Sequence, residues 1–92
     1  MPMKDALNYQ HVDMVLSLFY DRLPFGSNYF TMTYKLDFET EEWDLIFDFL
    51  LDEYLIEEWG DNDQYIITDK GQSVITKYCG VQNYMKTWEK MK

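Results

Sequence analysis

The segment of residues 40–54 constrains the fold more than any other part of this 92-residue chain. Its large apolar residues recur at helical spacing, which is typical of a helix with one buried face. They are Trp43, Ile46, Phe47, Leu50 and Tyr54. Leu45 and Phe49 add a second, flanking apolar row. We therefore predict a helix that is buried over a wide arc, with Thr40 as its N-cap and its end near residues 54–55.

Before this helix, the chain divides at turn-forming residues. An apolar stripe at helical spacing predicts a helix over residues 10–23, which Pro24 and Gly26 end. Residues 29–36 are rich in aromatic and β-branched types. Such a composition indicates either a short strand or an irregular helical turn.

After the helix, two short runs favour strands, over residues 55–59 and 64–68. The turn-forming residues 60–63 lie between them, and this order predicts a β-hairpin. A helix over residues 72–78 should follow.

The last helix is expected over residues 81–92, with Val81 and four larger apolar residues on one face. An apolar face at the end of a chain must either cover the domain or pair with a partner. We expect it to form a homodimer. The residues predicted to make the dimer contact are Tyr84, Met85, Trp88 and Met91.

The predicted order of elements is that of a winged-helix domain: helix, short strand, helix, hairpin, helix. Residues 52–71 read D-E-Y-L-I-E-E-W-G-D-N-D-Q-Y-I-I-T-D-K-G, which resembles a recognition-helix end, a wing and the Y-x-(L/I)-T-x-K-G segment of small winged-helix regulators. The resemblance implies that Thr68 caps the next helix and that Gly71 allows close packing. The family's short second helix has no convincing counterpart in residues 29–39.

The resemblance extends over about residues 10–80 and implies an α+β fold. We expect a winged-helix-like domain over residues 1–80, with a helical core and a short β-hairpin wing. Residues 81–92 would add a C-terminal amphipathic helix. One fold of this kind hosts many functions, so the resemblance does not define the activity.

The charge of the predicted recognition helix departs from that of DNA readers. Residues 37–63 hold 12 acidic residues and no basic one. Four of them lie three or four positions apart and form one row, here called the acidic stripe: Glu41, Asp44, Asp48 and Asp52. Asp61 and Asp63 give the wing the same sign. Carboxylates repel phosphates, whereas bases are normally read by Arg, Lys, Asn or Gln.

Charge is divided unevenly along the chain. The whole chain has 17 acidic and 8 basic residues, a net charge of −9. Residues 70–92 hold five lysines and one glutamate, a net charge of +4, so the remainder carries −13. A generic nucleic-acid or anionic-membrane binder is therefore excluded.

These features favour a non-enzymatic module that acts through protein–protein contacts. The acidic stripe, with Asp61 and Asp63, would engage a protein with a basic surface, and one such role is a DNA mimic that inhibits a nucleic-acid-binding protein. The alternative is a DNA-binding transcriptional regulator of the winged-helix type. It would place Lys70, Lys77 and the tail lysines on phosphates.

The sequence holds few of the residues that catalytic sites and metal sites require. The single cysteine and single histidine exclude a disulfide framework and a zinc site of the usual kind. We expect Cys79 to be a small buried group and His11 to be a surface or capping residue. Residues 61–63 lack the glycine and distal glutamate of a calcium loop. We therefore expect no enzyme activity, no metal and no cofactor.

The sequence shows neither a secretory signal nor an apolar run of the ~18–20 residues that a membrane span needs. This favours a cytoplasmic location, in the host cytoplasm if the chain is phage-encoded.

Overall fold

The computed structural model describes residues 7–60 and 63–90. Within these residues the chain forms five helices and a three-stranded antiparallel sheet, an α+β architecture compatible with a winged-helix layout. The elements are α1 (Tyr9–Arg22), β1 (Ser27–Asn28), α2 (Tyr29–Lys35), α3 (Thr40–Asp52), β2 (Ile56–Glu58), β3 (Gln64–Ile67), α4 (Asp69–Thr76) and α5 (Val81–Lys90). None of these helices is long and apolar enough to cross a membrane.

The sheet has the strand order β1-β3-β2. Strands β2 and β3 form the predicted hairpin, with Ile56 opposite Ile67 and Glu58 opposite Tyr65. The Trp59 N–H closes the hairpin by donating to the Gln64 carbonyl oxygen at 2.8 Å. The prediction of a hairpin is therefore confirmed, while residues 61–62 of its turn lie outside the described residues.

Helix α3 is the predicted buried helix, with Trp43, Ile46, Phe47 and Leu50 in the core. Both predicted ends need correction. Glu39, not Thr40, is the N-cap residue, and its side chain makes no capping hydrogen bond. The helix ends at Asp52 because Tyr54 adopts a φ of 58°. Tyr54, predicted to continue the buried face, is consequently 73% exposed.

The segment after β1 is the helix α2, so of the two alternatives for residues 29–36 the strand is wrong and the helical one is observed. The short second helix, for which residues 29–39 showed no convincing counterpart, is therefore present. Asn28 caps α2, because its side-chain oxygen accepts a hydrogen bond from the Thr31 N–H at 2.7 Å. Met32, on this helix, is fully buried in the core. The cap and this burial outweigh the preference of aromatic and β-branched residues for strands.

Helix α4 begins at Asp69, three residues before the predicted start, because Thr68 is its N-cap. The Thr68 hydroxyl accepts from the Gly71 N–H at 3.0 Å and donates to the Tyr54 carbonyl oxygen at 2.6 Å. Gly71 is buried against Leu55 and β3, where a Cβ atom would lie 2.6 Å from Ile67 Cγ1. Both roles implied by the resemblance, the cap and the close packing, are confirmed.

Helix α5 packs against α1, and a side chain of α1 fixes its start. The Asp13 Oδ1 atom accepts a hydrogen bond from the Val81 N–H at 2.8 Å. Gly80, which precedes Val81, has a φ of 136°. Cys79 also has a positive φ, of 60°, and is exposed, so the expectation that it is buried is wrong. The turn into α5 therefore holds Cys79 outside the core.

Burial raises the pKa of Asp13 more than the hydrogen bond from Val81 lowers it. A raised pKa in the folded state means that stability falls as the pH rises through that pKa. We therefore expect Asp13→Asn, which keeps the acceptor oxygen, to match or exceed the parent in free energy of unfolding at pH 7. Urea titrations at several pH values should show this advantage shrink as the pH falls towards the ordinary pKa of an aspartate.

Asp13→Ala is the matched control, because it removes the acceptor as well as the charge. Loss of a capping oxygen costs about 1 kcal/mol. If Asp13→Asn were as destabilising as Asp13→Ala at pH 7, the carboxylate charge rather than the hydrogen bond would hold α5 in place.

Candidate functional site

The acidic stripe lies along the solvent side of α3. All four of its side chains are exposed, while the opposite side of the helix is in the core. Helical residues three and four positions apart lie about 5–6 Å from each other, so the four carboxylates form a continuous row. The structure therefore brings Glu41, Asp44, Asp48 and Asp52 together as predicted from their spacing.

One carboxylate of the stripe has a neutral hydrogen-bond partner. The Tyr29 hydroxyl of α2 donates to Asp44 Oδ1 at 3.2 Å. Burial raises the pKa of Tyr29, and the hydrogen bond and negative charge of Asp44 raise it further. The partner of Asp44 is therefore a hydroxyl donor and not a cation.

Within the described residues, the only side-chain contact with ion-pair geometry is the one between His11 and Glu42. Its two atoms, His11 Nδ1 and Glu42 Oε2, are 2.5 Å apart, and the imidazole stacks on Phe38 with ring centroids 4.3 Å apart. His11 is not a capping residue, because Asn8 caps α1. Glu42 is thus directed towards α1, and the acidic stripe beside it carries no cation among these residues.

The hairpin extends the negative surface. Asp63 is exposed immediately before β3, and Glu57 and Glu58 are exposed on β2. Asp61, predicted to take part in partner binding, lies outside the described residues. The basic residues Lys70, Lys77 and Lys86 are exposed on or beside α4 and α5.

An apolar groove of about 360 Å³ adjoins the end of the acidic stripe. It lies where the start of α1, the outer side of α3 and α5 meet. Its lining residues are Leu7, Tyr9, Leu45, Asp48, Phe49, Asp52, Glu53 and Met85. We call it the α3 groove. Leu45 and Phe49 form the flanking apolar row predicted from their spacing, but the residues that complete the groove come from distant parts of the chain.

The residues predicted for dimerisation fall in different places. Tyr84 is only 5% exposed and packs in the core, with its ring 5.4 Å from that of Tyr78. Met85 is half-buried and lines the α3 groove. The side chain of Trp88 and all of Met91 lie outside the described part of the chain. Helix α5 therefore covers the domain with Tyr84, and a homodimer through this helix stays a prediction.

No protein family, curated protein or solved structure matches this chain. Across residues 7–60 and 63–90, no three His, Cys, Asp or Glu side chains are grouped so as to hold a metal ion. The surface features that indicate a function are therefore the acidic stripe, the hairpin carboxylates and the α3 groove.

Proposed function

We propose that this chain is a winged-helix-like binding module that recognises the basic surface of another protein through α3 and the hairpin. The observation that carries the proposal is the row of four exposed carboxylates on α3, with no cation beside them in the described structure. A protein that binds nucleic acid would present a suitable basic surface, so the module would act as its inhibitor. A cytoplasmic location is part of this proposal.

The position of the acidic stripe supports a protein partner over DNA. In a winged-helix protein the helix before the hairpin enters the major groove, and in this chain that helix is α3. Its exposed carboxylates would face phosphates there, and each close pair of like charges costs about 1 kcal/mol even in water. Long-range attraction between opposite charges instead speeds association with a basic protein surface.

The experiment is a binding titration with two labelled probes at about 50 mM salt, where electrostatic binding is strong. One probe is a peptide of lysines and serines, and the other is a random DNA duplex. We expect the peptide to bind and the duplex not to bind. Peptide binding should weaken about tenfold in a triple variant with Asp44→Asn, Asp48→Asn and Asp52→Asn. The reason is that each exposed ion pair contributes about 0.2–1 kcal/mol.

The control changes the net charge equally at exposed carboxylates outside α3, with Asp21→Asn, Asp37→Asn and Asp69→Asn. It should bind the peptide nearly as well as the parent, because its acidic stripe is intact. Equal weakening by the two triple variants would mean that net charge alone attracts the peptide, and the stripe would have no specific role.

A DNA-binding regulator is the second candidate. It is favoured by the element order and by the exposed lysines Lys70 and Lys77. Binding of the duplex that fades steeply with added salt would support this candidate, because phosphate contacts release counterions.

A further inference from the structure

We propose that the α3 groove is a docking site for a partner segment in which an apolar side chain is flanked by lysine or arginine residues. This inference rests on the proposed function, because it specifies which basic surface the acidic stripe recognises. The stripe would attract the segment, and the groove would accept its apolar side chain.

The floor and walls of the α3 groove are apolar. Tyr9 of α1 and Phe49 of α3 form a tilted aromatic pair with ring centroids 6.0 Å apart. Leu45 is half-buried and, unlike Phe49, is not among the described side chains that pack against the core. Met85 and Leu7 complete the apolar lining. Among the described residues, nothing covers this part of the surface, so it is available to another group.

The rim of the α3 groove determines the charge of its occupant. Asp48 and Asp52 are exposed, Glu53 is half-buried, and all three line the groove. No lysine or arginine of the described chain lines it. Two of these carboxylates also belong to the acidic stripe, so charge and apolar surface meet at one place. This combination matches a cation next to an apolar side chain and disfavours an acidic or anionic occupant.

The size of the α3 groove limits how much of the partner enters it. Its volume of about 360 Å³ is at the lower end of the range for ligand pockets, roughly 300–1,000 Å³. It therefore accepts one or two side chains rather than a whole secondary-structure element. The remaining contacts of the partner would lie on the exposed carboxylates.

The test compares two labelled peptides of equal length and equal lysine content. One has two adjacent leucines at its centre, and the matched peptide has serines there. We expect the leucine peptide to bind the parent protein about tenfold more tightly, since burying most of one leucine side chain gives about that factor. Leu45→Gln should remove most of this difference and leave the affinity for the serine peptide unchanged.

Met85→Gln changes the wall of the groove that α5 forms. It is a second variant for the same test, so the proposal does not depend on Leu45→Gln alone. Circular dichroism and urea unfolding identify variants that fail to fold. Equal affinities of the parent for the two peptides would overturn the docking site. The proposed function would still stand in that case if the triple asparagine variant weakened binding of the serine peptide.

Two further outcomes separate this inference from its alternatives. If neither peptide responds to removal of the stripe carboxylates, the proposed function fails before the groove is considered. If Leu45→Gln leaves leucine-peptide binding unchanged but converts a dimer into a monomer by solution mass, the groove is covered by a second copy of the chain. That result would also overturn the docking site for a basic partner.

Discussion

Replacing Trp43 with alanine should lower the free energy of unfolding by about 3–5 kcal/mol, the usual cost of removing a large aromatic side chain from a core. Trp43 is 1% exposed on α3. Its ring lies 5.2 Å from that of Phe38, 6.2 Å from Tyr29 and 6.3 Å from Phe47, measured between centroids. The substitution therefore opens a cavity among three other aromatic rings. Urea unfolding monitored by circular dichroism measures the loss.

Trp43→Phe is the control for this prediction. It retains most of the ring and removes the indole N–H, which has no acceptor among the described residues. Removal of a buried unpaired donor offsets part of the lost packing, so we expect a change of no more than about 1.5 kcal/mol. A loss of less than about 1.5 kcal/mol for Trp43→Ala would mean that the cluster rearranges to fill the cavity.

The second large loss of stability is expected when Gly71 is replaced with alanine. An alanine Cβ there would lie 2.6 Å from Ile67 Cγ1 and closer still to the Leu55 carbonyl oxygen. This carbonyl belongs to the backbone and already accepts the Thr68 N–H at 3.0 Å, so it cannot move freely. We expect Gly71→Ala to cost about 2 kcal/mol or more, even after the gain of about 1 kcal/mol in helix propensity. Thermal and urea unfolding both measure this loss.

Gly60→Ala is the control for this prediction, because it distinguishes the cost of lack of space from the cost of backbone strain. Gly60 has a φ of 75°, and a Cβ atom there would meet nothing within 4 Å. Its replacement should cost about 1 kcal/mol through the left-handed backbone alone. If Gly71→Ala were no more harmful than Gly60→Ala, α4 would be able to shift away from the sheet.

Periodic patterns in the sequence predict the parts of the fold that depend on neighbours in the chain. The buried face of α3 follows from apolar residues at helical spacing, and the hairpin follows from turn residues between two β-prone runs. The acidic stripe is predictable for the same reason, because residues three or four positions apart share a helix face. These features require no knowledge of distant contacts.

Features that depend on distant residues were missed. Asp13 and Val81 are 68 positions apart, and His11 and Glu42 are 31 apart. The α3 groove likewise combines α1, α3 and α5, so its apolar lining cannot be recognised from one segment. Helix α2 was left undecided against a strand for a different reason, since the cap by Asn28 and the burial of Met32, which outweigh the strand preference of its residues, are not visible in the composition.

The strand order also bears on how copies of the protein avoid aggregation. With β3 in the centre, β1 and β2 are the two edges of the sheet, and exposed edges are places where strands of other molecules add on. Strand β1 is only two residues long, which gives an incoming strand little to pair with. Strand β2 is longer but exposes Glu57 and Glu58, and the same pair on a second copy would repel them. The glutamates of the hairpin therefore protect the sheet against growth by edge-to-edge addition.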